Sequence, residues 1–328
     1  MKAAFIEKTG SPDVIVYGDA PKPKAAGSQI LVRVKAVAVN PIDTYIRSGA
    51  IPVELPKPFI LGCDLAGVVE AVGPETKRYK PGDRVWGSNQ GMLGRQGTFA
   101  DFAAVEEQWL YPLPEEVGFE DGAALALVGL TAHLGLFRDA QLKMGEKVFV
   151  YGGAGGVGSC VIQMARAVGA RVITTASTED KAQICRKLGA NVVVNYKTGD
   201  LEEALRRFGA LDVWFENLRD ANLDRAVANL AFRGRIVLIA GRDAKPAFPL
   251  GPFYTKDGRI FGLAMFNASS DEQRKSAAEI NRWLARGRIR PQIDRVMKIS
   301  EAAEAHKLQE ASVSGKKGSI AGKIVLVP

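Results

Sequence analysis

The sequence predicts an α/β protein of two domains, a small barrel-like β domain followed by a doubly wound parallel sheet. Three observations predict this fold. Short apolar runs separated by polar turns fill the first third, strands alternate with helices from Lys147 to Ala240, and a glycine-rich turn joins the first of those strands to its helix. A chain of 328 residues is long enough for two separate cores.

The first third of the chain has the pattern of strands. The run from Gln29 to Val39 alternates apolar with polar or small residues and stops at Asn40-Pro41. Turn signals at residues 80–83, 88–91 and 94–97 separate further short apolar runs. Closely spaced short strands of this kind are typical of a small β-barrel.

The periodicity changes after Phe119, where helix-like apolar spacing runs from Ala123 to Phe137. Strands and helices then alternate with short connections, which predicts a parallel sheet covered on both faces. The predicted strands are 147–151, 171–175, 191–194, 213–216 and 235–240, and the predicted helices are 160–168, 180–188, 201–208 and 223–231. A further helix near 271–286 and a last strand at 323–327 complete the chain.

The turn after the first of these strands reads Val150-Tyr151-Gly152-Gly153-Ala154-Gly155-Gly156-Val157-Gly158 and contains G-x-G-x-x-G. Glycine allows a tight turn, a close approach of backbone N–H groups to a pyrophosphate, and close packing of helix on strand. The helix N-terminus adds the positive end of a dipole. Because the motif has a strand before it and a helix after it, it predicts a dinucleotide site.

The end of the second strand of the alternation indicates which dinucleotide binds. A carboxylate that accepts from the ribose 2′-hydroxyl is typical of NAD sites, but this chain reads Ile173-Thr174-Thr175-Ala176-Ser177 there. A 2′-phosphate needs hydroxyls and cations, which Ser177, Lys181 and Tyr196 provide. The sequence therefore favours NADPH, while Lys181 as a solvated helix residue and Tyr196 as a turn aromatic remain the structural alternatives.

Composition and charge restrict the function classes. Lys and Arg exceed Asp and Glu by 44 − 36 = 8, but the basic residues are scattered, which argues against a dedicated nucleic-acid surface. Three separated cysteines do not form a disulfide framework or a C-x-x-C metal clip. We find no signal peptide and no apolar run long enough for a membrane helix, so we expect a cytoplasmic protein without a membrane partner.

Five runs closely resemble the zinc-independent quinone oxidoreductases (ζ-crystallin-like) of the medium-chain dehydrogenase/reductase family: residues 38–52 (AVNPIDTYIRSGAIP), 81–86 (PGDRVW), 129–136 (GLTAHLGL), 150–158 (VYGGAGGVG) and 322–328 (GKIVLVP). The resemblance covers the whole chain. It implies a GroES-like catalytic domain at 1–122, a Rossmann NADPH-binding domain at 123–266, and a segment at 267–328 that returns to the catalytic domain.

The resemblance also bears on metal binding. Zinc-dependent relatives carry a C-x-x-D motif followed by G-H-E, and the corresponding residues here are Asn40-Pro41-Ile42-Asp43 and Gly62-Cys63-Asp64. A catalytic zinc needs three protein ligands, and neither Asn40 nor the apolar stretch at 127–129 supplies one. We therefore expect no metal, and we interpret the run from Gly62 to Gly73 as a strand-turn-strand kept for its backbone shape.

Without a metal, the expected reaction is direct hydride transfer from nicotinamide C4 to a quinone in the interdomain cleft. The resemblance implies Asn40, Asp43 and Tyr45 as polar groups of the substrate pocket, with Tyr45 contacting the nicotinamide end or the substrate. The alternatives from the residues themselves are that Asn40 shapes a turn and Asp43 caps a helix. The predicted cofactor contacts are Tyr45, Gly153, Ala154, Gly155, Gly156, Val157, Gly158, Ser177, Lys181, Tyr196, Ala240, Gly241, Arg242, Leu263, Ala264 and Met265.

Two expectations from the resemblance stay open to alternatives, the acceptor and the enzymatic role itself. The same cofactor and pocket would serve an enal or enone double-bond reductase, so the acceptor is a quinone or another conjugated carbonyl. A non-enzymatic role, as a crystallin-like structural protein or an RNA-binding protein, is the hypothesis from another class. The resemblance implies a homodimer. Some relatives also bind the 2′-phosphate with an arginine near residue 318, where this chain offers Lys316 and Lys317.

Overall fold

The computed structural model describes residues 1–313 and 320–328. The chain divides into two compact units, one made of residues 1–127 and 277–328 and the other of residues 128–276. The C-terminal segment thus folds with the N-terminal unit, and both divisions fall inside helices. No helix in the described ranges combines the length and the apolar character that crossing a membrane requires.

The first unit is built mainly of antiparallel strands. Its strands are β1 Lys2–Ile6, β2 Val16–Asp19, β3 Gln29–Ala38, β4 Phe59–Ile60, β5 Leu65–Val72, β6 Arg84–Gly87, β7 Phe102–Glu106 and β8 Leu110–Pro112. Its helices are α1 Pro41–Ser48 and α2 Phe119–His133. A segment of π-helix, Leu134–Asp139, extends α2. The alternating pattern of β3 buries one face against a core that includes Ile30, Val32 and Val34.

The second unit contains the predicted parallel sheet, which the structure confirms. Its elements are β9 Lys147–Val150, α3 Gly156–Ala167, β10 Arg171–Ala176, α4 Glu179–Leu188, β11 Val192–Asn195, α5 Leu201–Phe208, β12 Leu211–Glu216, α6 Leu223–Asn229, β13 Leu230–Leu238, α7 Leu250–Tyr254, β14 Arg259–Gly262 and α8 Ser270–Ala285. The strand order is β11-β10-β9-β12-β13-β14, and all neighbours are parallel. The order reverses between β9 and β12, the place where doubly wound sheets bind ligands.

The last elements are β15 Ile293–Lys298, α9 Ala302–Val313 and β16 Lys323–Val327. Strand β16 pairs antiparallel with β3, with Val325 opposite Ala38 and Leu326 opposite Val37. Among the described residues this gives a seven-stranded sheet with the path β15-β16-β3-β5-β6-β8 and with β7 paired to β3. The pairing brings the C-terminus of the chain beside the start of α1.

Two differences from the sequence-based elements have physical reasons. Helix α3 begins at Gly156, four residues before the predicted start at Cys160, because glycine has a low helix propensity and gives no periodic signal. The edge strand β14 was not predicted, since its four residues Arg259–Gly262 carry no apolar run that distinguishes them from a loop.

Candidate active site

The glycine-rich turn between β9 and α3 is tightly packed at two of its glycines. A Cβ at residue 153 would lie 2.5 Å from Thr174 Oγ1, and a Cβ at residue 158 would lie 2.4 Å from the carbonyl oxygen of Gly152. Gly152 has a φ of +57°, and its N–H donates to Thr175 Oγ1 at 3.0 Å. Larger residues at 153 or 158 would push the turn out of this conformation.

The turn and the first turn of α3 fit a pyrophosphate. Gly155 is the N-cap of α3 and offers no side chain to its first-turn amides, and no acidic residue stands in that turn. These amides and the helix dipole would favour a dianionic group. The predicted residues 153–158 therefore form a continuous cradle of backbone around the helix N-terminus.

The three residues predicted to bind the 2′-phosphate follow the neighbouring strands β10 and β11 or lie in the helix after β10. Ser177 follows β10, Tyr196 follows β11, and the Tyr196 N–H donates to the Ala176 carbonyl at 3.1 Å. Lys181 lies in the first turn of α4, whose N-cap Thr178 accepts from the Lys181 N–H. The nearest carboxylate along the chain, Glu179, is ion-paired with Arg186 at 2.6 Å. Lys316 and Lys317 lie outside the described residues.

The remaining predicted cofactor contacts also follow strands of the same sheet. Ala240, Gly241 and Arg242 follow β13, and Gly241 has a φ of +83° with the Arg219 carbonyl oxygen 2.8 Å from where its Cβ would be. The segment 263–265 follows β14, and its Leu263 N–H donates to the Leu238 carbonyl at 2.9 Å. Because the sheet is parallel, all these segments share its carboxyl edge. Their binding roles stay predictions.

In the first unit, a group of buried polar side chains surrounds the start of α1. We call it the Asn40 cluster, and its members are Asn40, Asp43, Cys63, Asp64, Ser88 and Lys323. The Asn40 amide nitrogen donates to Asp64 Oδ2 at 2.8 Å and to the Ala38 carbonyl at 3.2 Å. Its oxygen accepts from Lys323 Nζ. Ser88 Oγ donates to Asp64 Oδ1 at 2.7 Å, and the Asn40 N–H donates to Asp43 Oδ2 at 2.8 Å.

Burial controls protonation in this cluster. It raises the pKa of Asp43 to about 7, although the Cys63 thiol and the Asn40 N–H both hydrogen-bond that carboxylate. Burial also raises the pKa of Asp64, against the opposing effect of the Lys323 ammonium. The pKa of the Cys63 thiol is raised well above its ordinary value by burial and by the two neighbouring carboxylates. Cys63 is therefore a thiol that donates, and not a nucleophile.

The structure changes the roles of two predicted pocket residues. Asn40 is 0% exposed and every polar atom of its amide has a protein partner, so the amide does not line an open pocket. Asp43 is 2% exposed and lies at the third position of α1, where its carboxylate caps the Asn40 N–H. The alternative that Asp43 caps the helix holds in a modified form, since Asn40 is the N-cap and Asp43, at the third position, accepts from its N–H. Tyr45, one turn along α1, is half-buried.

Asp64 corrects the interpretation of the Gly62 to Gly73 run. Gly62 does serve backbone shape, since it has a φ of +99° and a Cβ there would lie 2.2 Å from the Phe99 ring. Asp64, however, is 0% exposed and its carboxylate is held by Asn40 and Ser88. The run therefore contributes a buried carboxyl group that accepts hydrogen bonds, as well as a turn. Lys323 was missed too, although a lysine at the start of a strand that is otherwise apolar is a signal that could have indicated it.

The donor set at the Asn40 cluster does not fit a catalytic zinc. The one side-chain oxygen that Asn40 could offer faces the ammonium of Lys323, and the Cys63 thiol donates to Asp43. Among the described residues, no three His, Cys, Asp or Glu side chains are arranged to hold a metal ion. His133 is buried with its ring centroid 4.8 Å from that of Phe137, as expected for a packed histidine.

Each of the two units contains a match to a known protein family. Residues 26–115 match the alcohol dehydrogenase GroES-like domain, and residues 156–282 match the zinc-binding dehydrogenase family. The quinone oxidoreductase of Sus scrofa is 33% identical over 311 residues, which cover 94% of this chain and 93% of that protein.

Solved structures that cover the whole chain include the following two. One is the Escherichia coli quinone oxidoreductase complexed with NADPH, with a TM-score of 0.85 and 28% identity over 100% of both chains. The other is an NAD-dependent alcohol dehydrogenase, with a TM-score of 0.88 and 29% identity over 100% of both chains. The GroES-like and Rossmann-type architecture expected from the sequence is confirmed. The chain therefore belongs to the medium-chain dehydrogenase/reductase family, with quinone oxidoreductases among its full-length relatives.

Proposed function

We propose that this protein is an NADPH-dependent, zinc-independent quinone oxidoreductase. The observation that carries the proposal is the carboxyl edge of the parallel sheet, where a phosphate cradle lies beside hydroxyls and a lysine instead of a carboxylate. The name of the Sus scrofa relative and the NADPH complex of the Escherichia coli enzyme support it. A homodimer remains our expectation from the resemblance, and a cytoplasmic location remains our expectation from the sequence.

Each part of the proposed cofactor site has a separate task. Residues 153–158 would bind the pyrophosphate through backbone N–H groups, and Ser177, Lys181 and Tyr196 would bind the 2′-phosphate. Residues 240–242 and 263–265 would border the nicotinamide half. Bound NADPH supplies a hydride at C4 of its nicotinamide.

The acceptor class follows from the chemistry that the first unit can offer. A simple alcohol or ketone reacts slowly unless a Lewis acid or a positioned proton donor acts at its oxygen, and the Asn40 cluster does not fit a metal. A quinone accepts hydride more readily, because the negative charge that arrives delocalises onto oxygen. We assign Tyr45 as the residue that contacts the acceptor or the nicotinamide, and Asn40 and Asp43 as residues that position the helix carrying it.

Turnover with matched acceptors tests the proposal. The purified protein is assayed with 9,10-phenanthrenequinone and with an alkenal, each with NADPH and with NADH, alongside metal analysis. We expect the fastest turnover with NADPH and the quinone, and no stoichiometric zinc. Faster turnover with the alkenal would mean that the acceptor is a conjugated carbonyl and not a quinone, while the proposed cofactor site would stand. Stoichiometric zinc, or no turnover with either acceptor, would contradict the proposal.

A carboxylate at the end of β10 tests the cofactor preference. Ser177→Asp places a negative charge where the 2′-phosphate would lie, and a carboxylate there can accept from a free 2′-hydroxyl. We expect the Kd for NADPH to rise at least about 30-fold, or about 2 kcal/mol, and the Kd for NADH to fall. Fluorescence titration with each nucleotide measures both constants.

The matched control for this change is Gln183→Glu, which adds the same charge to an exposed position further along α4. It should leave the ratio of the two dissociation constants within about twofold of the unmodified protein, because an exposed charge at a distance is screened by salt. Equal effects of the two substitutions would mean that Ser177 does not face the 2′-phosphate.

A further inference from the structure

Lys323 lies in an unusual place for a lysine. It is the first residue of β16 and is 4% exposed. Its Nζ donates to the Val39 carbonyl at 2.6 Å and to the Asn40 side-chain oxygen. Since a buried ammonium is costly unless it is paired and hydrogen-bonded, these acceptors and a nearby anion must compensate for its desolvation.

The carboxylate that can compensate is that of Asp64, since both of its oxygens accept hydrogen bonds, and Lys323 reaches it through one amide. The Asn40 oxygen faces the ammonium, and the Asn40 nitrogen faces the Asp64 carboxylate at 2.8 Å. The amide dipole is thus aligned between a cation and an anion, and a flipped amide would set its NH₂ group against the ammonium. The charge pair therefore holds the Asn40 side chain in one orientation.

Asn40 in turn is the residue from which α1 starts. It is the N-cap of α1, its N–H donates to Asp43 Oδ2, and Tyr45 lies five residues further along the same helix. The Asn40 carbonyl oxygen also accepts from the Asp43 N–H at 3.1 Å, so the Asn40 backbone closes the first turn of α1, and a displacement of Asn40 would move that turn.

We infer that Lys323 is a positioning residue for the proposed hydride transfer, because its ammonium fixes the Asn40 amide and thereby the placement of Tyr45. The expected fall in kcat rests on the proposed function, whereas the placement of Tyr45 by Lys323 does not depend on it. Lys323 touches neither NADPH nor the acceptor in this scheme. Its removal should therefore lower kcat and leave the affinity for NADPH almost unchanged.

The test uses Lys323→Met, which keeps the length of the side chain and removes its charge and donors. With NADPH and 9,10-phenanthrenequinone we expect kcat to fall about 10- to 100-fold, as misplacement of a reacting group does. The Kd for NADPH should stay within about threefold, because the residues proposed to bind its pyrophosphate and its 2′-phosphate lie on the other unit. A kcat within twofold of the unmodified protein, per folded molecule, would overturn the inference.

A readout independent of turnover separates this inference from the proposed function. The protein is labelled with 3-fluorotyrosine, and the ¹⁹F resonance of Tyr45 is assigned from the spectrum of Tyr45→Phe. We expect this resonance to shift in Lys323→Met. If it shifts while the unmodified protein reduces no acceptor, the proposed function fails and the positioning role stands. An unshifted resonance overturns the positioning role.

Two further variants keep the test decisive. Lys323→Met/Asp64→Asn removes both charges, so it should be more thermally stable than Lys323→Met, in which Asp64 has lost its cation. Its kcat should stay low, because the Asn40 oxygen and the Val39 carbonyl still lack their donor. Full recovery of kcat would mean that Lys323 only balances charge, and would overturn the inference. The matched control is Lys256→Met, since Lys256 Nζ also donates to backbone carbonyls, those of Val227, Ala228 and Leu230. It should leave the Tyr45 resonance in place.

Discussion

NADPH binding is expected to weaken at least about 30-fold, or about 2 kcal/mol, when Gly158 is replaced by alanine. In most helices the same change is stabilising by about 1 kcal/mol, because alanine has the higher helix propensity. Here the new Cβ would lie 2.4 Å from the Gly152 carbonyl oxygen, so the turn must open and its N–H groups lose their common direction. Fluorescence titration with NADPH measures the effect.

Two other glycines of the same unit provide graded controls. A Cβ at residue 155 would approach the Gly152 carbonyl only to 3.2 Å, and a Cβ at residue 251, in α7, would meet nothing within 4 Å. The loss of affinity should therefore be largest for Gly158→Ala, smaller for Gly155→Ala and absent for Gly251→Ala. Unchanged affinity in Gly158→Ala, with a folded circular dichroism spectrum, would show that this turn is not the pyrophosphate site.

The second large effect is a loss of stability in acid caused by His306. This residue of α9 is 0% exposed, and within the described part of the chain neither ring nitrogen has a hydrogen-bond partner. Its ring meets Phe99 edge-on at 6.1 Å. Burial, and to a lesser degree the nearby Arg47 cation, lowers the pKa of His306 from 6.5 to about 3.

The direction of this pH effect follows from comparing the protonation of His306 in the folded and the unfolded chain. Between about pH 6.5 and about pH 3 the unfolded chain binds a proton at His306 and the folded chain does not, so stability falls as the pH falls through this window. The full window corresponds to at most about 5 kcal/mol. His306→Leu should remove this dependence, and at pH 8 it should also remove the cost of a buried ring without hydrogen bonds, about 1–3 kcal/mol.

Urea unfolding of both proteins at pH 8, 6 and 4.5 measures this difference. The gain in unfolding free energy of His306→Leu should grow as the pH falls. Asp43, with a pKa raised to about 7, acts in the opposite direction in both proteins, so it cancels in the difference. His133→Gln, at the only other histidine, should keep the acid dependence. A gain that is the same at all three pH values would contradict this account of His306.

Local patterns predicted the elements of the second unit well. The alternation of strand and helix runs from β9 to β13, and each segment that was predicted to contact the cofactor does follow a strand end or open a helix. These features depend on periodicity, glycines and turn residues close together in the chain, which a sequence displays directly. A parallel sheet then aligns its carboxyl ends whatever the details of packing.

The polar interior of the first unit could not be predicted in the same way. Lys323 and Asn40 are 283 residues apart and meet because β16 pairs with β3. Asp64 looked like part of a turn, and only its partners show that it is a buried carboxyl group that accepts hydrogen bonds. The protonation of Asp43, Asp64 and His306 likewise depends on burial and on neighbours brought together by folding.

The order of residues along the chain thus specifies the two kinds of domain, the glycine-rich turn before α3 and the absence of a carboxylate at the end of β10. Folding specifies which buried charges face one another, which side chains are withdrawn from the solvent, and which of the predicted pocket residues hold the helix of Tyr45. The reason is physical. Secondary structure and turns arise from neighbours in sequence, whereas desolvation and charge pairing arise from neighbours in space.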